Sequence, residues 1–156
     1  MMVGDETPLS ENYSKKDGGE ILLECRKLNY RPEDPFASAL QAISLQLKAG
    51  EILGIAGVAG NGQEELMRLI SGEETSAADT VVLNGRSIGK DGPAKRRAQG
   101  LCVVPEERLG RGAVADMSLE NNALLTAYQS GLVSGNGWLN LGQIRKFTQR
   151  ILSRFN

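Results

Sequence analysis

Gly57-Val58-Ala59-Gly60-Asn61-Gly62-Gln63-Glu64 is the stretch on which the reading of this chain turns. A phosphate-binding P-loop follows the pattern G-x-x-x-x-G-K-[ST]. Its glycines let backbone N–H groups curl around an anion, its lysine neutralises the outer phosphates, and its hydroxyl holds Mg²⁺. Gly57, Gly60 and Gly62 keep that backbone frame, but Gln63 stands in the lysine position and Glu64 in the hydroxyl position. The frame is present and the gripping chemistry is damaged, which predicts weak nucleotide chemistry at best.

The flanks agree with the motif. Glu51–Ala56 is a short apolar run of the kind that forms a buried strand, and Leu66, Leu69 and Ile70 recur at helical spacing before Gly72 closes the segment. Strand, glycine-rich loop and helix is the order a P-loop requires, because the phosphate sits at the helix N-terminus. The alternative is a strand-to-helix turn that is glycine-rich only for tightness. A P-loop kinase or GTPase is disfavoured by the lack of a lysine in the loop and of a Walker B aspartate.

Working outward, Ile21–Cys25 reads as a first strand, and Asn29–Ser38, with Pro32 and Pro35, as a loop. Ile43, Leu45 and Leu47 alternate with polar residues as in a half-exposed antiparallel strand. Val81–Leu83 followed by Asn84-Gly85 reads as a strand entering a hairpin. Residues 20–30, 41–48 and 80–88 are therefore expected to form an antiparallel unit beside a parallel core containing 51–56 and 101–104. Pro93–Gln99 reads as a short basic helix. Ser118 is placed to cap a helix whose inward residues would be Leu119, Leu124, Leu125 and Tyr128, and Ile144, Phe147, Ile151, Leu152 and Phe155 share one helical stripe.

At 156 residues the chain is long enough for one domain with a sizeable core. Its 18 basic and 19 acidic residues balance, so no nucleic-acid partner is implied. Cys25 and Cys102 lie in apolar stretches without metal-ligand spacing and read as two core thiols. No histidine is present, which removes histidine acid–base catalysis and argues against a zinc site; no metal ligands are assigned. No apolar run is long enough to span a membrane, and Met1–Gly19 is polar, so a soluble, cytoplasmic chain with a linker over 1–19 is expected.

At this point the residues resemble a family. Leu47–Gly57 resembles the lead-in to the Walker A loop of an ABC transporter ATPase, and Gly57–Gln63 is similar to the second, degenerate nucleotide-binding domain of sugar- and nucleoside-type importers. Val104-Pro105-Glu106-Glu107-Arg108 with Gly110-Arg111-Gly112 resembles their V-P-E-[DE]-R segment, which replaces the usual Q-loop, and Met117–Asn121 matches the helix start that follows. The resemblance implies an α/β, P-loop NTPase-like partial domain over 20–156, with parallel core strands plus an antiparallel β-subdomain. No signature motif and no Walker B strand appear before Asn156, so the segment reads as the N-terminal half of such a domain, inactive alone.

The resemblance also implies a site. Gly57, Gly60, Asn61, Gly62, Gln63 and Glu64 would meet nucleotide, with ATP and Mg²⁺ weakly or vestigially held. An aromatic between the first two strands would stack on adenine. Tyr30 is grouped with the site on that ground, but Phe36 falls in the same loop, and counting back from Gly57 does not choose between them. Glu106 would sense the γ-phosphate and, with Arg108, couple to the permease. Arg108 and Arg111 flank Glu106 and would contact acidic or carbonyl groups of a partner; the alternative is solvated charge, which is the preferred reading for Arg111. The implied partners are the first nucleotide-binding domain of the same subunit and a transmembrane permease. In that setting the subunit would lie on the cytoplasmic face of the membrane, and self-association of the truncated chain is expected. An alternative is a noncatalytic interaction module that docks to the permease. The transported substrate is not encoded, although the Pro105–Gly112 stretch and the Phe155 helix end lean toward nucleosides.

Overall fold

The computed structural model describes residues 19–107, 109–135 and 138–155. The expected linker, apart from Gly19, lies outside the described residues, and so does Arg108. The described chain is mixed α/β. Strands β1 (Ile21–Tyr30), β2 (Leu40–Lys48), β3 (Val81–Leu83) and β4 (Arg86–Ser87) form one antiparallel sheet in the order β2-β1-β3-β4. Asn84 and Gly85, at φ 48° and 76°, make the tight hairpin between β3 and β4 that the Asn-Gly pair predicts.

The β1–β2 pairing sets Leu23 opposite Leu47 and Cys25 opposite Leu45, and then slips before Leu28 meets Ile43. Side chains repair the slip. Ser44 Oγ accepts the Lys27 N–H at 3.0 Å, and Asn29 both accepts from Ala42 N at 2.9 Å and donates to Lys27 O at 2.7 Å. Lys27 and Ala42 hold φ of 44° and 50°, the cost of two facing bulges.

Helix α1 (Gln63–Ser71) lays Leu66, Leu69 and Ile70 against Leu23, Cys25, Leu28, Leu40, Val81 and Leu83. Burying one such side chain contributes about 1.5–3 kcal/mol, so this cluster is what fixes the P-loop helix to the sheet. Helix α2 (Pro93–Ala98) begins with proline at its first position and sends Arg96, fully buried, beneath the end of α1. Further along, α3 (Leu119–Ala127), a 3₁₀ turn at Tyr128–Ser130, a small hairpin β5 (Ser134–Gly135) and β6 (Trp138–Leu139), and α4 (Leu141–Phe155) follow. A second, smaller cluster of Ala127, Val133 and Ile144, with Leu124 and Phe147 against it, joins α3 to α4.

Four expectations are corrected here. The parallel core is not formed: 51–56 and 101–104 belong to no sheet, and Ile52 and Val104 are 92% and 91% exposed. Among the described residues the backbone of 52–57 makes no hydrogen bond. A parallel strand needs flanking strands and helices on both faces, and these segments find no neighbour of that kind. On α3, Ser118 caps as expected, its Oγ accepting from Asn121 N at 3.2 Å, but the buried residues are Ala123 and Ala127. Leu124 packs inward against Ala127 and Ile144 as expected, but Leu119, Leu125 and Tyr128 are exposed. On α4 the stripe is used at Ile144 and Phe147, while Ile151, Leu152 and Phe155 reach past the neighbouring helix into solvent. Cys25 is buried as expected, but Cys102, on an unpaired segment, is exposed.

Candidate functional site

Residues 57–62 form the turn that leads into α1, with Asn61 N donating to Val58 O at 3.2 Å. Gly60 and Gly62 lie at φ 85° and 97°. At residue 62 a Cβ is doubly excluded, by that φ and by Leu40 Cδ2, which would stand 2.6 Å from it. Gly62 is also the N-cap of α1 and offers no side-chain cap, so the first-turn N–H groups of Gln63, Glu64 and Glu65 keep their outward direction. The backbone frame of an anion cradle is therefore intact.

The space inside it is taken. Gln63 folds its amide back across the turn, where Nε2 donates to Val58 O at 3.3 Å. A Cβ at Gly57 would stand 2.2 Å from that nitrogen. Glu64 projects from the first turn, 73% exposed, in the place where a P-loop carries a hydroxyl. With the Gln63 amide swung out, a phosphate would meet backbone N–H groups alone, with no lysine at residue 63. No hydroxyl stands at residue 64 to hold Mg²⁺ tightly.

The β1–β2 loop is stitched to the same turn. Ser38 N donates to Glu65 Oε1 at 2.8 Å, and Ser38 Oγ donates to Gly60 O. This places Phe36, 96% exposed, on the rim of a hollow of about 240 Å³ shared with Gly60, Gly62 and Gln63. Tyr30 lies elsewhere, packed against the sheet–α1 core, where burial and then the Glu74 carboxylate raise its phenol above the usual value. The structure thus brings Phe36, not Tyr30, to the loop. Ser38 was not legible as a site residue, because nothing local marks a serine that bonds across more than twenty residues.

Across from α1, residues 103–107 form the facing wall of a cleft of about 380 Å³, lined among others by Gln63, Glu64, Glu106 and Arg111. Glu106 is exposed on that wall. Arg111, expected to be solvated charge, instead reaches α1, pairing with Glu73 and approaching Glu64 Oε1 at 3.9 Å. Arg68, also in the cleft, is held by Glu74 at 2.7 Å.

The described chain is a mixed α/β domain with an antiparallel sheet and a helix, α1, that opens on a glycine-rich, left-handed turn. The ABC transporter family model matches residues 40–154, and the chain belongs to that family. It is 30% identical over its whole length to the glucose import ATP-binding protein of Haloferax volcanii, covering 28% of that protein. It is 29% identical, again over its whole length, to the nucleoside import ATP-binding protein of Lactococcus lactis, covering 31% of it. Over 73% of the chain it is 36% identical to the guanosine import ATP-binding protein of Bacillus subtilis, of which it covers 22%. The chain thus spans between about a fifth and a third of the length of these curated relatives. Among the described residues, no helix is long and apolar enough to cross a membrane.

Proposed function

We propose that this chain is part of the ATP-binding subunit of an importer for simple sugars or nucleosides, and that it carries a degenerate Walker A loop. Residues 20–156 then correspond to the first part of a second nucleotide-binding domain, and 1–19 to the linker that precedes it. The observation that carries the reading is the Gln63 amide lying inside the glycine frame, in the space a phosphate needs. The loop keeps its shape while lacking the charge that makes the shape useful, so nucleotide is held weakly and is not hydrolysed by this chain alone.

In the intact subunit this loop would form the weaker of two composite sites with the first nucleotide-binding domain. Phe36 supplies the stacking surface for adenine, in preference to Tyr30, because it stands beside Gly60 and Gln63. Glu106 and Arg108 serve the contact with a membrane permease, which places the subunit on the cytoplasmic face. A second reading, a noncatalytic docking module, is favoured by the cleft wall at 103–107, which presents Glu106 outward beside the loop. Names of relatives support both sugars and nucleosides as cargo and do not choose between them.

Isothermal titration with Mg-ATP tests the main reading. The expected dissociation constant is on the order of 100 μM or weaker, about −5.5 kcal/mol at most. A low-micromolar constant would show that the loop is degenerate in sequence only.

A further inference from the structure

We propose that Arg111 is a nucleotide-binding residue that supplies, from across the cleft, the positive charge the loop lost at residue 63, and that Glu64 competes with phosphate for it. This rests on the nucleotide reading above and extends it to a residue outside the loop.

Arg111 is held in place by its own turn. Gly112 N donates to Glu107 O at 3.1 Å and Gly110 N to Ala113 O at 2.9 Å, so the segment is closed on itself. Asn122 of α3 then clamps Val114 from both sides, accepting from its N–H at 2.8 Å and donating to its carbonyl at 3.0 Å. The guanidinium therefore arrives at α1 from a built support, between the P-loop helix and the helical part of the chain.

Its two ends are held differently. Nη2 makes a close ion pair with Glu73. Nη1 stands 3.9 Å from Glu64 Oε1, too far for a hydrogen bond and readily exchanged. A guanidinium presents its donors as a rigid fork, so one edge can stay on a carboxylate while the other takes a phosphate oxygen. Lysine at residue 63 would reach phosphate from inside the loop, and Gln63 brings no charge. Among the described residues lining the cleft, Arg68 is the second cation, and its Nη2 is hydrogen-bonded to Glu74. Of these two, Arg111 is the one that turns a guanidinium edge toward the first turn of α1, at Glu64. Glu64 both holds that edge and repels an incoming phosphate, so it sets how weakly the loop binds.

Titrations of Mg-ATP into the chain, Glu64→Gln, Arg111→Ala, and the double variant test this, with Gln63→Lys/Glu64→Ser as the reference for a repaired loop. Glu64→Gln is expected to tighten binding about threefold to tenfold, and Arg111→Ala to weaken it by a similar factor. The gain from Glu64→Gln is expected to shrink to less than half in the Arg111→Ala background, because the freed edge is gone. Arg111→Gln, which is shorter but keeps a hydrogen-bond donor while removing the charge, is expected to give the same loss and serves if the alanine variant unfolds by circular dichroism. Unchanged affinity in both Arg111 variants, or a full Glu64→Gln gain without Arg111, overturns the assignment while leaving the loop as a nucleotide site. No binding in any variant, the repaired loop included, overturns the nucleotide reading and this inference with it.

Discussion

Gln63 lies across Gly57: the side-chain amide of the first helical residue of α1 closes over the backbone where the loop begins, and a Cβ at 57 would stand 2.2 Å from Nε2. Gln63 Nε2 donates to Val58 O, so the amide bridges the two ends of the turn. Together with Asn61 N donating to Val58 O and Ser38 Oγ donating to Gly60 O, this contact holds the glycine turn closed.

Repairing the loop is therefore expected to restore affinity. Gln63→Lys with Glu64→Ser returns the charge and the hydroxyl while the glycines stay as they are. Mg-ATP affinity is expected to rise at least tenfold, about 1.4 kcal/mol, as one charge-assisted contact replaces a neutral one. If calorimetry shows no gain, the turn is misshapen and the P-loop reading weakens.

Arg96 is expected to be the costliest single side chain to remove. Fully buried, it donates to the carbonyls of Leu69, Ile70, Gly89 and Asp91, capping the negative end of α1 and tying α2 beneath it. Arg96→Ala strands those acceptors, and urea unfolding is expected to show a loss of about 3–5 kcal/mol. Arg96→Lys should recover only part, since an ammonium cannot span the same fork. A loss below about 1 kcal/mol for the alanine variant would mean that water replaces the guanidinium without strain.

The two thiols are expected to separate by reactivity. Burial among apolar side chains pushes Cys25 from its ordinary 9.0 up to about 11, while Cys102 is exposed. At pH 8, one equivalent of a thiol reagent should react at Cys102, and Cys25 only on unfolding. The shift also sets a sign. Between pH 9 and 11 the unfolded thiol loses its proton and the folded one keeps it, so stability falls as pH rises, by about 2–3 kcal/mol across that window. Equal labelling rates in the native state would place Cys25 at the surface.

The unpaired apolar segments are expected to drive association. Ile52 and Val104 are 92% and 91% exposed, and the backbone around Ile52 lacks hydrogen-bond partners among the described residues. Such an edge offers both apolar surface and free backbone groups to another copy. Sedimentation velocity should show mass increasing with concentration, and Ile52→Lys with Val104→Lys should reduce it. A monomer at all concentrations would mean these segments are satisfied in another way.

The strands of the antiparallel sheet, the Asn84-Gly85 hairpin, the helix after the loop and the Ser118 cap were legible in the sequence, because each is marked within a few residues, although β1 pairs with β3 across about sixty positions. Alternation, a turn dipeptide and a capping hydroxyl act locally, and so the chain itself specifies them. The identity of the loop was legible for the same reason: Gly57, Gly60, Gly62 and the missing lysine lie within one turn. Pairing of 51–56 with 101–104 was not decided locally, since an apolar run says that a strand wants neighbours and not whether it has them. The inward face of α3 likewise depended on how near α4 could come, which buried Ala123 and Ala127 beside Leu124 and left Leu119 and Leu125 exposed. What only the tertiary structure decided was the company each charged or aromatic group keeps: Phe36 brought to the loop by Ser38, Arg96 sunk beneath α1, and Arg111 carried across the cleft to Glu73 and Glu64. Those contacts join residues more than twenty positions apart, where the sequence carries no periodicity to mark them and only the closing of the fold brings opposite charges together.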